Sequence, residues 1–270
     1  MSAGTLSRRK LLGICAAGMA SSVACAVRFP ASALLSPSAD SDAPLPKSGE
    51  TLPSHAQAGT IRALLVGGGS SHDFETYFHR ADSAILTAAA GIVPAYTSNA
   101  DEARELLTNA DVLIFSANHA SFGAPEFQKA LNSFADAGRG LVILHAAIWY
   151  NWPGAPEFNQ RFVGGGARSH GRGEFSVFTR EHDHPVMHGV PAEFKIVDEQ
   201  YRVMFDAGAP VNVLAETSNE AQSGKPYPSV WLVNDSKAPI VNIALGHADE
   251  AHNNPAFQSI LVNAVRWVKG

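Results

Sequence analysis

The chain has 270 residues, a formal net charge of −5 at neutral pH and only two cysteines, Cys15 and Cys25. This length suits one domain with a sizeable core. The acidic balance disfavours a nucleic acid or an anionic membrane surface as a partner, because both require a basic face.

The first 33 residues are predicted to be an export signal of the twin-arginine type. Arg8, Arg9 and Lys10 form a basic head, and the apolar run behind them is too short and too rich in Ala, Gly and Ser to span a membrane. A retained membrane anchor is the alternative. Removal of these residues takes away four basic and no acidic side chains, so the formal charge moves from −5 to −9. Both cysteines also leave, which excludes disulfides, Cys-ligated zinc and a cysteine nucleophile from a mature periplasmic or secreted protein.

Residues 34–59 are rich in Pro, Ser and Ala without periodicity and are predicted to be a disordered linker. From residue 60 to residue 270, short β-rich runs alternate with helical patterns, as in α/β domains. Strands are predicted at 61–66, 92–96, 111–116, 140–145, 174–179, 211–216, 229–233 and 239–245, and helices at 75–90, 101–109, 125–137 and 255–269.

Four of the predicted strands end at polar side chains. These are His72 after the first strand, Asn118 and His119 after the third, His145 after the fourth and His247 after the last. In open parallel α/β sheets, ligands bind outside the carboxyl ends of the strands. We therefore expect these side chains to meet in one site.

Other segments add candidate groups. The glycine-rich residues 164–171 are predicted to form a loop that carries Arg168 and His170, and Asp249 or Glu250 follows His247 at a strand-to-helix turn. Residues 149–152 supply aromatic faces and an amide suited to sugar rings, although core packing explains one of the two tryptophans equally well. The histidines of 182–188 are interpreted as part of a solvated connection.

No nucleotide cofactor is expected. Residues 67–69 are three glycines between a strand and a helix, but they lack both the GxGxxG spacing and the lysine of a phosphate-binding loop. The glycines form either a simple tight turn or a turn that presents His72.

Five motifs together resemble the trehalose-utilisation (ThuA-like) family of the class I glutamine amidotransferase-like superfamily. They are GLVILHAAIW, NQRFVGGGARSHG, HDHPVMHGVP, IVDEQY and ALGHADEAHNNPAFQSILVNAVRWVKG, within residues 61–270. The resemblance implies a flavodoxin-like three-layer sandwich with a mostly parallel central sheet. It also implies that the family's recurrent polar residues fall on His72, His145, His170, Glu199 and His247. Where those relatives carry a cysteine, this chain has His145, Ala146 and Ala147, and it has no cysteine after the predicted export signal, which excludes amidotransferase chemistry.

The resemblance implies an exported sugar-processing enzyme acting on a 3-keto-disaccharide or related glycoside. His145, His170 and His247 would hold a divalent metal such as zinc or bind a substrate carbonyl, and His145, Glu199 and Asp249 are the candidate catalytic residues. A non-catalytic periplasmic carbohydrate-binding or accessory protein is the alternative, and a homo-oligomer is compatible with either. The candidate substrate-binding residues are His72, Asn118, His119, Trp149, Asn151, Trp152 and Arg168.

Overall fold

The computed structural model describes residues 59–219 and 225–270. The predicted export signal, and the predicted linker up to residue 58, lie outside the described residues. Within the described ranges, none of the helices has the length and apolar character needed to cross a membrane.

The described residues form one nine-stranded sheet with helices on both faces. The strands are β1 (Ile61–Gly68), β2 (Ile92–Thr97), β3 (Val112–Ala117), β4 (Gly140–Leu144), β5 (Gly165–Thr179), β6 (Glu193–Phe205), β7 (Val211–Asn219), β8 (Lys225–Asn234) and β9 (Pro239–Ile243). Their spatial order is β2-β1-β3-β4-β9-β8-β7-β5-β6.

The α-helices are α1 (Asp82–Ala88), α2 (Ala100–Leu106), α3 (Pro125–Asp136), α4 (Pro156–Phe158), α5 (Asp249–His252) and α6 (Pro255–Lys269). A π-helical stretch, Glu75–Ala81, leads into α1, and another, Asn159–Val163, follows α4. Pro125 and Pro255 occupy the first turns of the two longest helices, where the missing N–H costs no hydrogen bond.

Strands β2, β1, β3, β4 and β9 pair in parallel. The side chains of β3 and β4 are buried on both faces, whereas the edge strand β2 exposes Val93. Leu64 belongs to the core under α2 and α3, whereas its neighbour Leu65 belongs to the core under α1 and α6. This alternation is the two-residue period of a strand packed on both sides. The carboxyl ends of these parallel strands therefore lie along one edge.

The prediction of a mostly parallel central sheet holds for the centre of the sheet, and the second half adds antiparallel strands. Strands β9, β8, β7, β5 and β6 pair antiparallel, so the sheet is mixed. The predicted glycine loop at 164–171 is wrong, because β5 begins at Gly165, opposite Phe205 of β6. β6 itself was not predicted. A register irregularity between Ala167 and His170 and exposed side chains at 168–170 explain why this segment reads as a loop.

A partly buried ion pair joins β1 to the residue that precedes β3. Arg62 donates from its backbone and its side chain to Asp111 at 2.9–3.1 Å. Burial acts to raise the pKa of Asp111, but the hydrogen bonds from Arg62 outweigh it and lower that pKa.

We expect Asp111→Asn to lower the free energy of unfolding by about 1 kcal/mol at pH 7. A carboxyl with a depressed folded pKa stabilises above its unfolded pKa of about 3.9, and this contribution is lost as the pH falls through the folded pKa. Urea unfolding of both proteins from pH 7 to pH 2 should show the difference shrink below about pH 4. A pH-independent difference would contradict an electrostatic origin.

Candidate functional site

Four predicted site residues meet at the carboxyl edge of the parallel strands. His72, His145, Glu199 and His247 each offer one ligand atom, and these atoms all lie within 4.8 Å of one another. The three histidines follow β1, β4 and β9, whereas Glu199 comes from β6 in the antiparallel half. We call these four residues the His–Glu cluster. The cluster therefore depends on both halves of the sheet.

His145 is held in a constrained position directly after β4. Its φ of 34° makes it the only non-glycine residue with a positive φ in the described part of the chain. The buried ring donates from Nδ1 to the carbonyl oxygen of Ala244 at 2.7 Å, and Tyr201 stacks on it at 4.3 Å between ring centroids. Because Nδ1 carries the proton, the Nε2 lone pair faces the cluster.

Glu199 is the acidic centre of the cluster. Its Oε2 lies 3.1 Å from His247 Nδ1 and 3.6 Å from His145 Nε2, and its Oε1 lies 3.4 Å from His170 Nδ1. Burial acts to raise the pKa of Glu199, but the imidazoles of His145 and His247 outweigh it, so the pKa is lowered. The side chain is therefore a carboxylate at neutral pH.

His72 completes the cluster from the loop after β1. Burial and the nearby imidazoles of His145 and His247 lower the pKa of His72 to about 3, so its ring is neutral at pH 7. Ser71 Oγ lies 2.5 Å from His72 Nδ1, and Asn118 donates from Nδ2 to the same hydroxyl. Gly69 makes this contact possible, since a Cβ there would lie 1.5 Å from Asn118 Oδ1.

Three imidazole nitrogens in the cluster are buried and make no hydrogen bond of regular geometry with the described residues: His72 Nε2, His145 Nε2 and His247 Nδ1. Two of them lie beside Glu199 Oε2, His247 Nδ1 at 3.1 Å and His145 Nε2 at 3.6 Å. Buried polar atoms normally have a partner, so three together around a carboxylate call for a ligand. Neutral imidazoles with a carboxylate form a donor set that suits zinc and other first-row divalent ions.

A pocket of about 300 Å³ opens over the cluster. Trp149 and Asn151 line it together with Asn118, His170 and Tyr201. Asn151 donates to the carbonyl oxygen of Ala146 at 2.8 Å, which holds the loop after β4 in place. Asn118 Oδ1 is buried without a partner within the described ranges. The pocket thus combines aromatic faces with amide and imidazole groups.

The remaining candidate residues lie outside this pocket. His119 lines an adjoining cavity of about 820 Å³, and Trp152 and Arg168 line a third cavity of about 450 Å³. Trp152 is buried and donates from Nε1 to the carbonyl oxygen of His119 at 2.9 Å. Asp249 is exposed at the first residue of α5 and lines none of these cavities. The histidines of 182–188 lie in the connection between β5 and β6.

Two residues of β6 that sequence analysis missed support the site. Tyr201 packs on His145, and burial raises the pKa of its hydroxyl. Asp198 is buried and accepts hydrogen bonds from the backbone N–H groups of Glu199, Gly246 and His247 at 2.7–2.9 Å. The signal was two short alternating patterns: Phe194 and Ile196 pack on one face of the sheet, and Tyr201 and Val203 pack on the other.

The fold and the cluster define an α/β protein with a mixed sheet. Its candidate site lies where the carboxyl ends of the parallel strands meet a strand of the antiparallel half. The chain belongs to the ThuA family, described as trehalose utilisation, whose model matches residues 61–268. This confirms the resemblance drawn from the sequence motifs.

Solved structures share the fold. A ThuA-like protein from Parabacteroides merdae is 22% identical, with a TM-score of 0.69 over 78% of this chain and 90% of that one. A ThuA-like protein from Bacteroides uniformis is also 22% identical, with a TM-score of 0.66 over 80% and 94%. A cytoplasmic protein from Salmonella typhimurium has 11% identity and a TM-score of 0.54 over 77% and 99%. No curated protein sequence gave a match.

Proposed function

We propose that this protein is an exported sugar-processing enzyme that acts on a keto-disaccharide or glycoside at a divalent metal held by the His–Glu cluster. The observation that carries the proposal is the set of three buried imidazole nitrogens that make no regular hydrogen bond and converge on the Glu199 carboxylate. Membership of a trehalose-utilisation family supports a carbohydrate as the substrate.

The proposed ligands are His72, His145, Glu199 and His247. The favoured ion for this set of ligands is zinc. When bound, the ion supplies Lewis-acid polarisation of a substrate oxygen. His72 joins the ligand set in place of His170, the histidine expected from the sequence. The tautomer of His145 is set by its bond to the Ala244 carbonyl, as is usual for histidine ligands.

The pocket residues supply the other functions. Trp149 offers a face for a sugar ring, and Asn118 and Asn151 offer amide groups for its hydroxyls. His170 lies on the pocket wall beside Glu199 Oε1 and is the group placed to take or give a proton. No lysine or arginine of the described residues lines this pocket, which favours an uncharged substrate.

We also infer that the parallel half has a flavodoxin-like, amidotransferase-related topology. Its order β2-β1-β3-β4-β9 matches the flavodoxin-like order 2-1-3-4-5. His145 then occupies the sharp turn after β4 at which amidotransferases carry their cysteine, consistent with its positive φ.

Elemental analysis of protein purified without chelator tests the metal site. We expect about one equivalent of a divalent metal in the wild type and about a tenth of that or less in His145→Ala and His247→Ala, because each change removes a ligand. His182→Ala removes an exposed histidine outside the cluster and should retain the metal.

Absence of metal from the wild type, or its retention in both cluster variants, would refute the metal site. Turnover of 3-keto-disaccharides by the metal-loaded protein is expected. Sugar binding without any turnover would instead identify the carbohydrate-binding alternative.

A further inference from the structure

A second cavity adjoins the His–Glu cluster. It has a volume of about 820 Å³ and lies beyond the carboxyl ends of β1, β2 and β3. His72 lines both this cavity and the 300 Å³ pocket, and its ring lies 4.8 Å from those of His145 and His247. A ligand in the cavity that touches His72 is therefore in contact with one member of the cluster.

The wall of the cavity suits a hydroxyl-rich group. Ser98, Asn99, Ser121 and His119 place hydroxyl, amide and imidazole groups along it. Phe74, Tyr96 and Phe127 also line the cavity, although each is at most 6% exposed. Small-molecule sites combine a few polar groups with apolar surface in this way. Its volume falls within the range of about 300–1,000 Å³ that is usual for small-molecule sites.

The charges of the cavity disfavour an anionic ligand. Its lining includes the carboxyl groups of Asp73, Glu75, Asp101 and Glu126. Arg104 is the one guanidinium in the described lining, and it pairs with Asp101 at 3.0 Å. A phosphate in this space would face like charges.

We propose that this cavity binds the second half of an extended, uncharged, hydroxyl-rich substrate and selects against phosphorylated sugars. The first half of the same molecule occupies the 300 Å³ pocket over the cluster. This inference rests on the proposed function, because it assumes that a sugar is processed at the cluster. It adds to that proposal a minimum substrate size, a position for the second ring and a charge preference.

Titration calorimetry of the purified metal-containing protein tests the inference with glucose, trehalose and trehalose 6-phosphate as probes. In the wild type, trehalose should bind at least about tenfold more tightly than glucose and at least about tenfold more tightly than trehalose 6-phosphate. Glu126→Trp fills the cavity from the first turn of α3 and should reduce the affinity for trehalose to that for glucose. Glu126→Lys should remove the preference against the phosphate.

Lys129→Trp is the matched control, since Lys129 lies one turn along α3 and does not line the cavity. This variant should bind all three probes as the wild type does, and all variants should retain the metal. The cavity assignment would be overturned if Glu126→Trp bound trehalose as tightly as the wild type does, or if the wild type bound trehalose no more tightly than glucose. If the protein then still contained its full metal content, the proposed metal site would stand. Failure of every probe to bind would overturn the cavity assignment as well. A wild-type protein without metal would instead refute the proposed function itself.

Discussion

Replacing Asp198 with alanine should lower the affinity of the proposed metal site by about 10- to 100-fold, although Asp198 is not itself a proposed ligand. Its buried carboxylate accepts the N–H groups of Gly246, His247 and Glu199. Two of those N–H groups belong to proposed ligands, so Asp198 joins the His247 turn to β6. Without it, Glu199 and His247 lose the contact that keeps them at 3.1 Å.

The metal affinity can be measured directly by titrating the metal into metal-free protein in the presence of a competing chelator. Asp183→Ala is the control because Asp183 is an exposed acidic residue in the connection between β5 and β6. Asp198→Ala should also lower the free energy of unfolding of the metal-free protein, by about 1–3 kcal/mol for each N–H left without an acceptor. Loss of stability with unchanged metal affinity would show that Asp198 supports the fold and does not position the ligands.

The parallel half of the sheet was predictable because each strand carries its own signal. Residues 61–66, 111–116 and 140–145 are short, continuous apolar runs, which is the pattern of a strand buried on both faces. Their order along the chain, with helices between them, also indicates parallel pairing. Ligands bind outside the carboxyl ends of the strands in open parallel α/β sheets, and this rule was enough to predict that His72, His145 and His247 lie together.

The antiparallel half was not predictable in the same way. β5 and β6 are long, partly exposed strands whose pairing joins Gly165 to Phe205, forty positions away, and the first part of β5 is rich in glycine and polar residues. Local periodicity carries no signal for such a long-range pairing. Glu199 therefore entered the prediction only through the family resemblance, and Asp198 and Tyr201 did not enter it.

The directions of the side chains explain why the candidate binding residues line different cavities. Trp149, Tyr150, Asn151 and Trp152 follow one another, and Trp149 makes a bridge to Ala167. Trp149 and Asn151 line the pocket over the cluster, while Tyr150 and Trp152 line the third cavity. Alternate residues of an extended chain point to opposite sides, so sequence proximity alone groups side chains that the backbone separates. Asn118 and His119 divide between neighbouring cavities in the same way.

Replacing His252 with alanine should lower the free energy of unfolding by about 3–5 kcal/mol, since it leaves the fully buried Asp82 carboxyl without its partner. His252 Nδ1 lies 2.7 Å from Asp82 Oδ1, and Nε2 donates to the carbonyl oxygen of Gly246 at 3.1 Å. Tyr77 stacks on the ring at 5.5 Å between centroids. The pair thus joins the start of α1 to the turn that carries His247.

The protonation of this pair gives the stability a pH dependence. Burial raises the pKa of Asp82, although His252 acts to lower it. Burial also acts to lower the pKa of His252, but Asp82 outweighs it and raises that pKa. A raised folded pKa means that the stabilisation is fully present below the unfolded pKa of about 6.5 and is lost as the pH rises through the folded value. The difference between wild type and His252→Ala should therefore shrink on the alkaline side of that value.

Urea unfolding of the wild type, His252→Ala, Asp82→Ala and the double variant, each measured from pH 6 to pH 9, separates the pair from its surroundings. Asp82→Ala should cost less than His252→Ala, because it leaves no buried carboxylate unpaired. The double variant should be more stable than the sum of the two single effects implies, with a coupling free energy of about 0.5–3 kcal/mol. Each single change already removes the interaction between Asp82 and His252, so the two effects cannot be additive if that interaction contributes to stability. Strictly additive effects would therefore mean that the two residues contribute through packing alone.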